Sequence, residues 1–197
     1  MRLAILISFA AFGLIFIPAQ AGEPFVRVDL GSRAAYIIPE SYADEHKAEL
    51  VASIPGPVKV EGFWTPSEED VTVAERVFRE LIQSAAKDPT LLFADLADAS
   101  QNASQDALQH QQIELELMSK YYAAYLRQYV GIIVDGRKLV LCNYADVPKV
   151  DPSMEYLYVE KYFVGDGTTH FLQSRFDLES KTCSNVAIIG SWQPKEN

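Results

Sequence analysis

Between Val71 and Ala85 the apolar residues Val71, Ala74, Val77, Phe78, Leu81, Ile82 and Ala85 recur at three- and four-residue intervals. That is the spacing of one helical face. Thr65-Pro66-Ser67-Glu68 stands just before the run and predicts its start. Proline suits the first helical position, and Thr65 with Glu68 has the form of a capping box. Glu68, Glu69 and Asp70 complement the positive end of the helix dipole. Lys87-Asp88-Pro89 predicts the end, because the residue before proline resists the helical region. Thr90 to Ala99 reads as a short helix or turn. A second long helix is predicted over Asp106 to Tyr122, with Leu108, Leu115, Met118 and Tyr122 on one side; this stripe is narrower, since Gln109, Gln111 and Gln112 stand together.

From Tyr125 the period changes to two. Tyr125 to Val134, Asp135-Gly136 and Arg137 to Tyr144 predict a hairpin, since Asp-Gly suits the positive φ of a type I′ turn. In that register Val134 faces Arg137 and Tyr129 faces Cys142. A second hairpin is predicted from Tyr156 to Val164 and Thr168 to Asp177 around Gly165-Asp166-Gly167. Leu178 to Lys181 is a turn, and Thr182 to Gly190 a last strand. Ahead of the long helix, Phe25 to Val28 reads as a short strand and Ser41 to Val51 as a short helix. Pro55-Gly56-Pro57 forces a loop, and residues 22–62 are expected to pack on the main body as a satellite layer.

Helices followed by strands predict an α+β domain over residues 63–197, with two long helices on one face of a curved antiparallel sheet of about five strands. The outline resembles cystatin-like or NTF2-like curved sheets wrapped on a helix, as architecture alone. Such a likeness supplies no function.

Residues 1–21 read differently. Met1-Arg2 is a minimal basic start, Leu3 to Ile17 is almost unbroken apolar sequence, and Pro18 precedes the small-x-small triplet Ala19-Gln20-Ala21. This is the pattern of a cleaved secretory signal, and the apolar run falls short of the roughly 20 residues that span a bilayer. The chain from Gly22 is therefore expected to be soluble, periplasmic or secreted, and not membrane-spanning after cleavage.

With 197 residues, 17 Lys+Arg against 27 Asp+Glu and a net charge of −10, the chain lacks the cationic excess that nucleic-acid binding needs. Only two cysteines are present, which excludes four-cysteine zinc sites and disulfide-dense scaffolds. The hairpin register places Val130, Ile132, Val134, Leu139 and Leu141 on a buried face. Tyr129, Cys142 and Tyr144 then share the other, outer face, and Cys183 falls on the same side of the last strand. In an oxidising compartment this predicts a Cys142–Cys183 disulfide, which requires the last strand to lie near that of Cys142.

Catalytic signals are weak. Cys142 sits mid-strand with neither His110 nor His170 near it in sequence, unlike an activated thiol. Asp44-Glu45-His46 does not place three ligands on one helical side, so no metal is expected, and no cofactor motif occurs. Gly165-Asp166-Gly167-Thr168-Thr169-His170 offers Asp166 and His170 as an acid–base pair, although turn chemistry explains the same residues. Tyrosine is concentrated instead: Tyr121, Tyr122, Tyr125, Tyr129, Tyr144, Tyr156, Tyr158 and Tyr162 are eight of the ten in the chain. On an exposed face Tyr129 and Tyr144 would make a binding surface for an envelope protein or glycan. The reading is an exported, non-catalytic binding, inhibitor or accessory module. The alternatives are a periplasmic hydrolase using Asp166 and His170 in a helix–sheet cleft, and a small-ligand carrier with an apolar cavity inside the curved sheet.

Overall fold

The computed structural model describes residues 25–30, 34–54, 56–88, 91–92, 112–113, 115–120, 122, 125–145 and 171–189. Their element order is β1 (Val26–Asp29), β2 (Ala34–Ile38), α1 (Glu40–Glu45), α2 (Lys47–Ser53), β3 (Gly62–Trp64), α3 (Glu68–Ala85), β4 (Leu126–Val134), β5 (Arg137–Ala145), β6 (Phe171–Asp177) and β7 (Thr182–Ile189). The class is α+β, around one mixed sheet of seven strands ordered β1-β2-β4-β5-β6-β7, with β3 also on β4.

The β4–β5 hairpin forms in the expected register, with Val134 opposite Arg137 and Tyr129 opposite Cys142. Asp135 and Gly136 have φ of 50° and 69°, as a type I′ turn requires. The turn before β7 and the strand itself also follow the sequence pattern, and β7 pairs with β6.

The expected architecture is corrected on four points. Among the described residues the sheet has seven strands and not about five, and it is not purely antiparallel, because β2 runs parallel to β4. Val26–Asp29 and Ala34–Ile38 are strands of the sheet itself, not a satellite layer over it. Helices cover both faces and not one. Ala43 of α1 and Leu50 of α2 join Val130, Ile132, Leu139 and Leu141 in the first core. Val71, Ala74, Phe78, Ile82 and Ala85 of α3 join Tyr129, Val140, Cys142 and Tyr144 in the second. A strand parallel to β4 needs a long crossover, and that crossover carries α1, α2, β3 and α3 across the two faces. Residues 112–113 and 115–120 of the second expected helix are helical, and Leu115, Met118 and Tyr122 are buried in the second core. Residues 106–111, 114 and 121 of that helix, the Tyr156–Val164 strand and the signal segment lie outside the described residues.

β4 is the organising strand. β5 pairs with its whole length, while β2 pairs with residues 127–130 and β3 with residues 131–133. β2 and β3 therefore share the other edge end to end. Trp64 of β3 donates from Nε1 towards the Ile132 and Leu139 carbonyls at 3.2 and 3.3 Å, and the Lys138 ammonium lies 4.9 Å from its ring centroid.

The capping box of α3 forms two residues later than expected. Ser67 is the cap, with its Oγ accepting from the Asp70 N–H at 3.2 Å and the Asp70 carboxylate accepting from the Ser67 N–H at 3.0 Å. Thr65 is engaged elsewhere, accepting from the Glu40 N–H at 2.9 Å, so the hydroxyl expected to start α3 instead ties down the start of α1.

Gly131 lies opposite Trp64, and a Cβ there would stand 2.2 Å from the Trp64 carbonyl oxygen. Backbone against Cβ cannot relax cheaply, so Gly131→Ala should destabilise the fold by about 2–3 kcal/mol. Chemical denaturation followed by tryptophan fluorescence measures this. An unchanged midpoint would mean that β3 is not held as described.

Candidate functional site

The sheet face under α3 carries a charge in its middle. Arg127 of β4 is 1% exposed, and a cation so buried needs a partner. Glu75 supplies it, with the Arg127 Nε 3.3 Å from its Oε1. Arg127 also donates from Nη2 to the Tyr122 carbonyl at 3.3 Å, and its guanidinium carbon lies 5.2 Å from the Tyr122 ring centroid. Glu75 stands on α3 one residue beyond the buried Ala74 and three before Phe78, at the inner edge of the apolar stripe.

The second Glu75 oxygen is held by tyrosines. The Tyr129 hydroxyl donates to Oε2 in a short contact, and the Tyr144 hydroxyl donates to the same atom at 3.3 Å. Their rings meet edge to face at 6.3 Å, and Phe78 of α3 stacks on Tyr144 at 4.5 Å. Tyrosine suits this position because its ring packs in the core while its polar tip reaches the carboxylate. Tyr122 completes the cluster, its ring 5.6 Å from that of Tyr144 and its buried hydroxyl beside Tyr144 and Glu75.

Burial pushes the Tyr122, Tyr129 and Tyr144 phenols well above their ordinary value, and the negative charge of Glu75 adds to the effect at all three. These phenols are donors, not nucleophiles, at any physiological pH.

A cavity of about 820 Å³ opens onto this cluster. Its floor holds Glu75, Tyr122 and Arg127, one wall is the end of β1 at Asp29 and Leu30, and the other is the polar stripe of α3 with Arg76 and Arg79. This volume is in the range of small-molecule sites, which run roughly 300–1,000 Å³. A second cavity of about 520 Å³ lies by the tips of the hairpins, where Arg137 pairs with Asp177 at 3.1 Å.

Tyr129 and Tyr144 are fully buried, so they form no docking surface, and the outer-face reading is corrected. The pattern placed them on one side of the strand, but α3 covers that side. Cys142 and Cys183 also share this face, as expected, yet both are free thiols. The disulfide expectation is corrected by β6, which lies between β5 and β7. Cys142 is opposite Ser174, and Cys183 is opposite Phe176. Two strand spacings separate their backbones by roughly 9–10 Å, beyond the ~7 Å that a disulfide bridges. Burial pushes the Cys142 thiol up, and the Cys183 thiol up to about 12.

Asp166, His170 and His110 lie outside the described residues. Among those described, no three His, Cys, Asp or Glu side chains are grouped to hold a metal ion, and no helix is long and apolar enough to cross a membrane. Glu75 and Arg127 escaped the sequence analysis. The available signal was Arg127-Gln128 inside an otherwise apolar strand, together with a glutamate on the edge of the helical stripe. Comparison of the chain with protein-family models, curated proteins and solved structures finds no match.

Two outcomes follow from the burial. The folded state holds its phenol and thiol protons more tightly than the unfolded chain, whose groups titrate near 10.0 and 9.0. The contribution of these groups to stability is thus fully present below about pH 9 and falls as pH rises beyond it. In a spectrophotometric titration Tyr122, Tyr129 and Tyr144 should ionise only together with unfolding. Independent ionisation of every tyrosine near pH 10 in folded protein would contradict the buried cluster. Thiol counting with a chromogenic disulfide reagent should leave Cys142 silent in the native protein. Both thiols should react in denaturant without prior reduction, whereas a Cys142–Cys183 disulfide would leave neither reactive.

Proposed function

We propose that the protein is an exported, non-catalytic binding module of the cell envelope, and that its ligand is a small polar molecule held in the cavity between α3 and the end of β1. The observation that carries this reading is the floor of that cavity. A buried ion pair and a buried tyrosine face an opening of about 820 Å³. A buried ion pair adds little to stability compared with packed apolar side chains of the same volume. A function at the cavity accounts for keeping one in the centre of the sheet.

The other readings receive less support. A protein or glycan partner docked on Tyr129 and Tyr144 would have to displace α3. A hydrolase would need a free acid, base or nucleophile, whereas Glu75 is already engaged by Arg127, Tyr129 and Tyr144. The carrier reading is kept in altered form: the cavity has polar walls and lies between helix and sheet edge, not inside the sheet.

The test uses the full chain expressed with its own N-terminus. Intact mass of the exported product should show loss of residues 1–21, and a product that retains Met1 would overturn export. The purified protein is then screened against small charged metabolites by thermal shift, with amide exchange measured on each hit. Stabilising compounds should slow exchange across Thr72–Gln83 and at Arg127. If nothing stabilises the protein, or hits leave those amides unchanged, the cavity is not the binding site.

A further inference from the structure

We infer that the ligand of this cavity is a small organic monocarboxylate, gripped by Arg76 and Arg79; this rests on the cavity being the binding site. Three of the chain's eight arginines line the cavity, although the protein as a whole carries a net charge of −10. Arg127 is committed to Glu75. Arg76 and Arg79 stand three positions apart on α3, so they are neighbours on one helical face, and both line the cavity. Among the described residues neither guanidinium has an ion-pair or hydrogen-bond partner.

The carboxylates nearby are mostly spoken for. Glu75 is held from both oxygens, and Asp29 engages another group. Glu80 remains, leaving two open cations against one open anion. A guanidinium fork matches a carboxylate in two-pronged geometry, so these arginines favour a carboxylate over a neutral or cationic ligand. Phosphate is disfavoured in the same place. Its charge of about −1.5 to −2 at neutral pH would meet Asp29, Glu75 and Glu80 together, whereas a monocarboxylate adds a single charge.

The rest of the cavity suits the body of such a ligand. Leu30 and the ring of Tyr122 offer apolar surface. Tyr122 is 5% exposed, and its hydroxyl lies beside Glu75 and Tyr144. A small shift of the Tyr122 ring would bring that donor to the ligand.

The probes are benzoate and hexanoate, their neutral partners benzamide and hexanamide, benzylamine, and inorganic phosphate. Binding is read by calorimetry and by amide exchange over Thr72–Gln83. The carboxylates should bind at this segment at least tenfold more tightly than their amides, benzylamine or phosphate. Arg76→Ala and Arg79→Ala should each weaken carboxylate binding about tenfold or more, the range for a hydrogen bond to a charged group. Both positions are exposed on the helix and alanine is a strong helix former, so the fold is retained, as circular dichroism would verify. If an amide, benzylamine or phosphate protects the segment as well as a carboxylate does, the carboxylate inference falls and the cavity remains the site. Carboxylate binding unchanged in both variants also overturns the inference. If no probe protects the segment, the inference falls and the cavity loses its support with it.

Discussion

The buried guanidinium of Arg127 is the constraint from which the α3 face of the sheet is organised. A cation in the middle of β4 cannot be left without a counter-charge, because an unpaired buried charge costs several kcal/mol. Glu75 is the group placed to meet it, and this fixes the helix along its axis and in rotation. With Glu75 over Arg127, Phe78 falls on Tyr144, and Tyr129 and Tyr144 reach the free carboxylate oxygen. The stripe from Val71 to Ala85 would pack tolerably in several positions, since apolar contact has no direction. The ion pair and the phenol hydrogen bonds have direction, and they select one.

Much of the fold was legible because local rules decided it. The α3 stripe, the Asp135-Gly136 turn and the register of its hairpin follow from spacing and turn geometry. What was not legible was everything set by distant partners. Ala34-Ala35-Tyr36-Ile37-Ile38 is a short apolar run before Pro39 with no alternation, the form of a strand buried on both faces, but nothing in it names β4 as its parallel neighbour. Gly62-Phe63-Trp64 is too short for a period to show. The expected capping box was displaced because two hydroxyls, Thr65 and Ser67, compete within three residues, and the site of Thr65 was taken by the N–H of Glu40.

The face assignment failed for a related reason. Alternation divides a strand into two sides, and the more apolar side of β4 and β5 is indeed buried. The further step, that the other side meets solvent, holds only for a sheet covered once. Arg127, Tyr129 and Tyr144 look like surface composition, yet their polar atoms are met within the protein. The cysteines taught the same lesson. Parity and compartment argue for a bridge, and both thiols do share a face, but pairing also depends on strand order. With β6 between them, the two thiols flank Ser174 without meeting.

The opposite face shows why the cavity belongs to α3. There Gln128, Asn143 and Gln173 form a buried polar row across β4, β5 and β6. Asn143 donates to Gln128 at 2.6 Å, while the Asn143 and Gln173 side-chain oxygens make no hydrogen bond among the described residues. Each such orphan acceptor costs about 1–3 kcal/mol, and the row limits how far the first core extends along the strands. Towards β7 that face turns polar, with Arg175 and Asp177 in place of aliphatic residues. The first core is therefore centred on β2, β4 and β5, where the short α1 and α2 suffice to cover it. The second core reaches from Val28 of β1 to Cys183 of β7 and needs the eighteen-residue α3. A straight helix over a twisted sheet parts from it at one corner, and at the β1 corner the polar edge of α3, the Glu75–Arg127 pair and the end of the first strand face one another across open space.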